Sequence, residues 1–335
     1  MKTILVTGAN GFVGEHTLQY LMKQPGIKLV AACRDKTRLH PAFEGEVRQG
    51  DIRDEAYLQQ LFDGVDVVVN AIAWTSLWGN SQTSDELFLR PQLKMIKTFQ
   101  NSSAQQWVNI SSTSAAAPEA SADAMSEGIP RAFWPHLNNV ITIENTLREL
   151  ADEQKTVINM RLGLFAGENY ALGLLPVLVP RMKTHLVPWV AGGKTEMPII
   201  DGRDIGQAMG LGALKEGLSG YQSFNVVGPE VPAVREVIEY IANQYALPKP
   251  HFSVPFAVAW PFAWLMEKLD PLVPWEPLIV RSIIHLLQNT GATNERATRL
   301  LGYRPEYHWQ QAIAVQMREM QTRQKRPMKM ARPIA

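Results

Sequence analysis

The segment Thr7-Gly8-Ala9-Asn10-Gly11-Phe12-Val13-Gly14 follows directly on an apolar run, Thr3-Ile4-Leu5-Val6, and this junction limits what the chain can fold into. The run reads as a buried parallel strand, and glycines spaced in this way at its end mark a dinucleotide site. Gly8 allows the tight turn out of the strand, and Gly11 lets the backbone approach a pyrophosphate. Gly14 lets the next helix pack on the sheet while its N-terminal amides face the anion. The context that the motif requires is present. A helix-like stretch runs from Phe12 to Met22, and Gln24-Pro25-Gly26 stops it.

Further apolar runs alternate with helical stretches along the chain: Leu29 to Ala32, Val65 to Asn70, Trp107 to Ile110, Val157 to Arg161 and Phe224 to Val227. That alternation predicts an α/β fold, a Rossmann-type doubly wound parallel sheet with a smaller, mainly helical C-terminal substrate lobe. With 335 residues and 46% hydrophobic content, the chain is long enough for both. The balance of 33 basic and 32 acidic side chains gives no reason to expect nucleic acid or an anionic partner as a general property. The single cysteine, Cys33, excludes an intramolecular disulfide and reads as a small core residue. Met1-Lys2-Thr3 runs straight into the first strand, which predicts no leader and a cytoplasmic location. No metal site is expected. The cations Arg323, Lys325, Arg326, Lys329 and Arg332 sit in a tail, 321–335, that is expected to be disordered.

Sheets of this kind bind ligands outside the carboxyl ends of their strands. After the second strand comes Cys33-Arg34-Asp35-Lys36-Thr37-Arg38. A guanidinium at Arg34 can pair with a 2′-phosphate, which favours NADP(H); Asp35 could instead accept from a ribose hydroxyl, which would favour NAD(H).

The spacing TGxxGxxG and the length resemble the short-chain dehydrogenase/reductase superfamily, in its extended branch of nucleotide-sugar epimerases, dehydratases and steroid-type dehydrogenases. The resemblance implies that Asp51, in Gly50-Asp51-Ile52-Arg53-Asp54, bonds the adenine amino group while Ile52 packs on the ring. It places Asn70, Ala71 and Ile72 against the adenosine and pyrophosphate, and adds Ser111 to the cofactor set. It puts Thr113, at the end of Trp107-Val108-Asn109-Ile110-Ser111-Ser112-Thr113, where a hydroxyl bonds the substrate oxygen. A homodimer is a further expectation of the family.

The family's chemistry uses a Tyr-x-x-x-Lys pair, yet no tyrosine occurs between Tyr57 and Tyr170. Pro135-His136-Leu137-Asn138-Asn139-Val140-Ile141-Thr142-Ile143-Glu144 aligns with the helix that should carry the pair, so that His136 replaces the tyrosine and Val140 the lysine. Valine can neither hold a ribose nor lower a neighbour's pKa, so the usual proton relay is expected to be absent. Three readings follow. His136 supplies the proton with Thr113 and Ser112 as hydroxyl partners; or the protein binds nucleotide without chemistry, as a regulator or partner subunit; or the lobe serves a reaction that needs no relay. Glu144 reads as a structural hydrogen-bonding residue.

Residues 1–165, with 199–228 returning, are assigned to the cofactor domain, and 166–198 with 229–320 to the substrate lobe. Asp204 reads as the N-cap of the helix that joins them. Val254 to Leu287 is dense in Trp, Pro, Phe and Leu but broken by charges, so it is expected to pack the lobe, line an apolar substrate pocket or face a membrane without crossing it. An apolar carbonyl, polyketide, isoprenoid or lipid-like substrate is the leading expectation, and a nucleotide sugar the alternative.

Overall fold

The computed structural model describes the chain except for residues 118, 119, 121, 273–276, 278 and 326–335. Arg326, Lys329 and Arg332, named above, lie outside the described residues, as do residues 273–276 and 278 of the apolar stretch. Seven strands form one parallel sheet: β1 (Lys2–Thr7), β2 (Ile27–Cys33), β3 (Glu46–Gln49), β4 (Val67–Asn70), β5 (Gln106–Ser112), β6 (Thr156–Leu162) and β10 (Tyr221–Val226), in the spatial order β10-β6-β5-β4-β1-β2-β3. Two short parallel pairs stand apart from it, β7 (Leu164–Ala166) with β9 (Ile199–Asp201) and β8 (Trp189–Val190) with β11 (Ser253–Val254).

The strand order reverses between β1 and β4, so the crevice for a ligand opens at their carboxyl ends. One face of the sheet is covered by α1 (Phe12–Leu21) and α7 (Gly202–Leu214), through Leu18, Ile205 and Met209 against Val6, Val69, Val108 and Met160. The other face takes α2 (Glu55–Leu61), the short α3 (Ser81–Ser84), α4 (Arg90–Asn101) and α5 (Pro135–Leu150). Here Leu58, Phe99 and Leu147 pack on Leu5, Val68, Trp107 and Val157. Strands buried on both faces read as continuous apolar runs, as these do. Cys33 lies in the first of these cores, where burial raises its thiol pKa.

The lobe is built from α6 (Leu174–Met182), α8 (Val234–Tyr245), α9 (Phe256–Leu269), α10 (Arg281–Leu286) and α12 (Trp309–Lys325). A further helix, α11 (Glu295–Leu301), brings the chain back to the sheet, where Ala297, Leu301 and Tyr303 join the core of α1 and α7. The cap of α7 corrects the sequence expectation. Asp201, not Asp204, accepts from the Arg203 amide (2.9 Å) and opens the helix. Asp204 is one turn further in, buried, and accepts from the amides of Glu306 and Tyr307 at 2.9 and 3.0 Å, tying the segment before α12 to α7. Among the described residues no helix is long and apolar enough to cross a membrane.

Candidate active site

The glycine turn is closed by backbone, not by side chains. Gly8 has φ of 63°, and a Cβ added there would lie 2.9 Å from the Ala71 carbonyl oxygen. The turn therefore packs directly on the loop after β4. A Cβ on Gly14 would sit 2.2 Å from the Gly8 carbonyl oxygen, so α1 touches the turn as closely as backbone allows. The Gly11 amide donates to the Gly8 carbonyl at 2.9 Å, and α1 begins at Phe12, so its first amides face the strand crevice. The Phe12 ring itself packs on His16 and Tyr170, at centroid distances of 5.0 and 4.4 Å. Asn10 fixes the turn from the side by donating to the Asp35 carbonyl at 2.8 Å. A cradle in which Gly8 and Gly14 leave no room for a Cβ, at the switch point of the sheet, fits a dinucleotide pyrophosphate.

At the end of β2, the candidate for a 2′-phosphate, Arg34, and the candidate for a ribose hydroxyl, Asp35, differ. The Asp35 carboxylate accepts from the Thr37 hydroxyl (2.6 Å) and amide (3.0 Å), capping a short turn; those bonds hold its pKa down. Arg34 is exposed beside it. Asp51 is gripped by Arg53 through two contacts, Nη2 to Oδ2 at 2.6 Å and Nε to Oδ1 at 3.0 Å, which lower its pKa. Ile52 borders the core of α2 and α4.

At the end of β5, the hydroxyls take separate roles. Ser112 accepts from the Ser114 amide at 3.1 Å and caps the turn Thr113–Ala115. Ser111 Oγ is buried and has no hydrogen-bond partner among the described residues. Thr113 is buried immediately beyond it. The lobe closes on this turn, with His285 Nε2 lying 3.1 Å from the Ser114 carbonyl oxygen. Leu77, Phe133 and Trp134 pack there with Ala115 in an apolar cluster.

His136 lies at the start of α5 with Nδ1 3.0 Å from Ser84 Oγ, its ring between Trp74 and Phe88 at 5.1 Å from each. Burial pushes its pKa down to about 4, against a smaller opposing effect from a hydrogen bond with the Trp74 backbone. The imidazole is therefore neutral at physiological pH, and it clasps α5 to α3 and to the loop after β4. Between its ordinary 6.5 and about 4, the unfolded chain binds a proton that the folded ring refuses, so this group withdraws stability as pH falls. Asp204, pushed up to about 6 by burial, works in the opposite direction, favouring the folded state below its unfolded pKa and losing that effect as pH rises. His136→Asn isolates the histidine. Between pH 7 and 4.5, urea unfolding of the wild type should lose up to about 3 kcal/mol more than the variant does; equal losses would refute a buried neutral ring.

A profile of the NAD dependent epimerase/dehydratase family matches residues 4–226. The chain belongs to that family. It is 21% identical over 333 residues to the sterol-4-alpha-carboxylate 3-dehydrogenase, decarboxylating, of Dictyostelium discoideum, covering 93% of this chain and 99% of that protein. The crystal structure of gox2253 superposes with a TM-score of 0.74 at 17% identity, covering 96% of this chain and 99% of that one. The UDP-glucose-4-epimerase of Stenotrophomonas maltophila, with bound NAD and formylated UDP-arabinopyranose, gives 0.72 at 16% identity, covering 97% and 99%. At these identities the solved structures share the fold.

This member of the NAD dependent epimerase/dehydratase family carries a feature that a linear reading missed. Thr7, Asn70, Asn109, Asn159 and Ser223 are register partners on five adjacent strands. All five are buried and form one polar row across the sheet. Thr7 Oγ1 donates to Asn70 Oδ1 (3.0 Å), Asn70 Nδ2 to Asn109 Oδ1 (3.3 Å) and Asn109 Nδ2 to Asn159 Oδ1 (2.9 Å). Asn159 Nδ2 reaches Glu144 Oε1 (2.7 Å) and Ser223 Oγ (3.2 Å). The Asn70 side chain is thus spent inside the sheet, leaving its backbone to the cofactor loop. Above the row, Val140 borders a cavity of about 10 Å³ lined also by Asn70, Gln92 and Asn109. The row ends at the fully buried pair of Glu144 and Arg161, with Nη2 to Oε2 at 2.9 Å and Nε to Oε1 at 3.0 Å. Glu144 is structural, as its place in the sequence suggested.

Proposed function

We propose that the protein binds NADP(H) and uses it to interconvert a carbonyl and an alcohol on a bulky apolar small molecule. The observation that carries this reading is the Ser111 hydroxyl, buried at the carboxyl end of β5 without a partner among the described residues. A buried hydroxyl left alone costs about 1–3 kcal/mol, a cost that a substrate oxygen would remove. The apolar wall of Leu77, Phe133 and Trp134 supports the substrate class, as does the likeness to a sterol carboxylate dehydrogenase.

Gly8, Gly11 and Gly14, with the first amides of α1, would hold the pyrophosphate. Arg34, exposed at the end of β2, would take the 2′-phosphate, beside an Asp35 carboxylate that Thr37 engages through one of its oxygens. When bound, the nicotinamide supplies or accepts a hydride. Ser111 and Thr113 would hold the substrate oxygen by hydrogen bonds, and the proton that this oxygen gains on reduction, or loses on oxidation, would be exchanged with solvent water. His136 positions α5 and stays neutral, and Val140 leaves no lysine to assist. The likeness to an epimerase with a bound UDP sugar supports a second reading, epimerisation of a nucleotide sugar.

The test combines calorimetry with turnover. Arg34→Ala should weaken NADPH by about ten- to a hundredfold, the worth of a charge-assisted contact, and leave NADH nearly unchanged. Equal losses would refute the 2′-phosphate assignment. Wild-type protein with NADPH should reduce alicyclic ketones, and Ser111→Ala should lower that rate; turnover of UDP-glucose with no activity on any ketone would replace the first reading by the second.

A further inference from the structure

The helix α9 is amphipathic the wrong way round for a protein in water. Its inward stripe is Ala259, Ala263 and Glu267, all buried. Its outward face carries Val258, Phe262, Trp264 and Leu265, between 46% and 57% exposed, continued by Leu269 and by Leu272 beyond the helix end. Large apolar side chains point to solvent while alanines face the core. Helical spacing puts Val258, Phe262, Leu265 and Leu269 on one stripe, with Pro261 and Trp264 at its flank. Phe252, just before the helix, is exposed as well.

Charge is sorted in the same sense. The acid of the helix, Glu267, is turned inward, where it accepts from the Arg281 amide and Nε at 2.7 Å each. Asp270, at the helix end, accepts from Trp78 Nε1 at 2.9 Å. The exposed face is left with Lys268 as its charged group, and Lys249 and His251 stand exposed before the helix. A face of this kind, large and apolar with a tryptophan and a cationic edge, matches the boundary between lipid headgroups and acyl chains. At 14 residues the helix is about 21 Å long, too short to cross a bilayer but suited to lie in its surface. It also stands at the wall of the candidate site, since Trp260 packs edge-on against Phe133 at 4.8 Å.

We propose that the outward face of α9 is a monotopic docking surface for an anionic lipid bilayer. It seats Phe262, Trp264 and Leu265 in the interface, with Lys268 at headgroup level. The inference goes beyond the catalytic reading and does not need it.

The test uses the full chain in flotation with phosphatidylcholine vesicles, with and without phosphatidylserine, alongside its elution volume in gel filtration. The wild type should float, more completely with phosphatidylserine. The triple variant Phe262→Glu, Trp264→Glu, Leu265→Glu should lose roughly tenfold or more of its vesicle partitioning while keeping its melting temperature. Lys268→Glu should reduce binding to the anionic vesicles alone. Wild-type protein that stays at the bottom of both gradients would overturn the proposal. So would a wild-type dimer that binds no vesicles and that the triple variant converts to monomer, because the face would then belong to a second copy. Ketone turnover measured without vesicles should be the same in wild type and variant, which separates this surface from the active site.

Discussion

Gly14→Val should abolish dinucleotide binding and lower stability by about 3 kcal/mol or more, the upper end of what an overpacked site costs. The Cβ of any residue at this position would lie 2.2 Å from the Gly8 carbonyl oxygen and 2.8 Å from the Ala9 Cα, both backbone atoms. Neither can rotate out of the way, so α1 must lift from the turn, taking its N-terminal amides away from the anion site. Even Gly14→Ala should show most of the effect, since the first carbon is the one that clashes. Gly217→Ala is the matched control: its φ is 76° and nothing lies within 4 Å of an added Cβ. There only the cost of a left-handed backbone remains, about 1 kcal/mol, with nucleotide affinity intact. Thermal melts and calorimetry on the three variants read both quantities. Wild-type affinity in Gly14→Val would mean that the turn is not the cofactor cradle.

The glycine turn was legible in sequence because its determinants are local. A strand, three glycines and a helix occupy the consecutive residues Lys2–Leu21, and the physics of each is set by its neighbours. The parallel sheet was legible for a similar reason: strands buried on both faces leave uninterrupted apolar runs, and Val67–Asn70 or Thr156–Leu162 have no other use. What depends on register was hidden. Asn70 ends β4, whereas Asn109 and Asn159 are each fourth of seven residues in β5 and β6, and read along the chain they are unrelated polar residues. Only the pairing of β4, β5 and β6 makes them neighbours. Asp201 and Asp204 flank Gly202-Arg203, and either carboxylate has the chemistry of an N-cap; the choice fell to Asp201 because Asp204 is claimed by amides a hundred residues downstream. Arg34 and Asp35 stand side by side in the sequence with opposite implications for the cofactor, and the bonds from Thr37 to one Asp35 oxygen depend on the turn that follows β2. For α9, composition revealed the apolar density but not which side of the helix faces out.

Glu144→Ala should destabilise the protein by about 3–5 kcal/mol, because it leaves the Arg161 guanidinium buried without its counter-charge. Both side chains are 0% exposed, so water cannot take over from the carboxylate. The loss spreads, since Glu144 Oε1 also accepts from Asn159 at 2.7 Å, and Asn159 links the asparagines of β4 and β5 to Ser223 in the polar row. Arg161 retains the Ser126 carbonyl at 2.7 Å and the Ser126 hydroxyl at 3.1 Å, which is too little for a buried cation. The double variant Glu144→Leu, Arg161→Met should recover much of the loss, because two apolar side chains of similar volume bring no charge to desolvate. Urea unfolding of Glu144→Leu, of Arg161→Met and of the double closes a cycle whose coupling energy measures the pair. A single variant within about 1 kcal/mol of wild type would show that solvent reaches the pair. A double variant no more stable than either single one would show that the row needs the carboxylate for more than its charge. In that case the acid acts as an acceptor that sets the register of α5 against β6, and through α5 the distance from His136 and Val140 to the Ser111 hydroxyl.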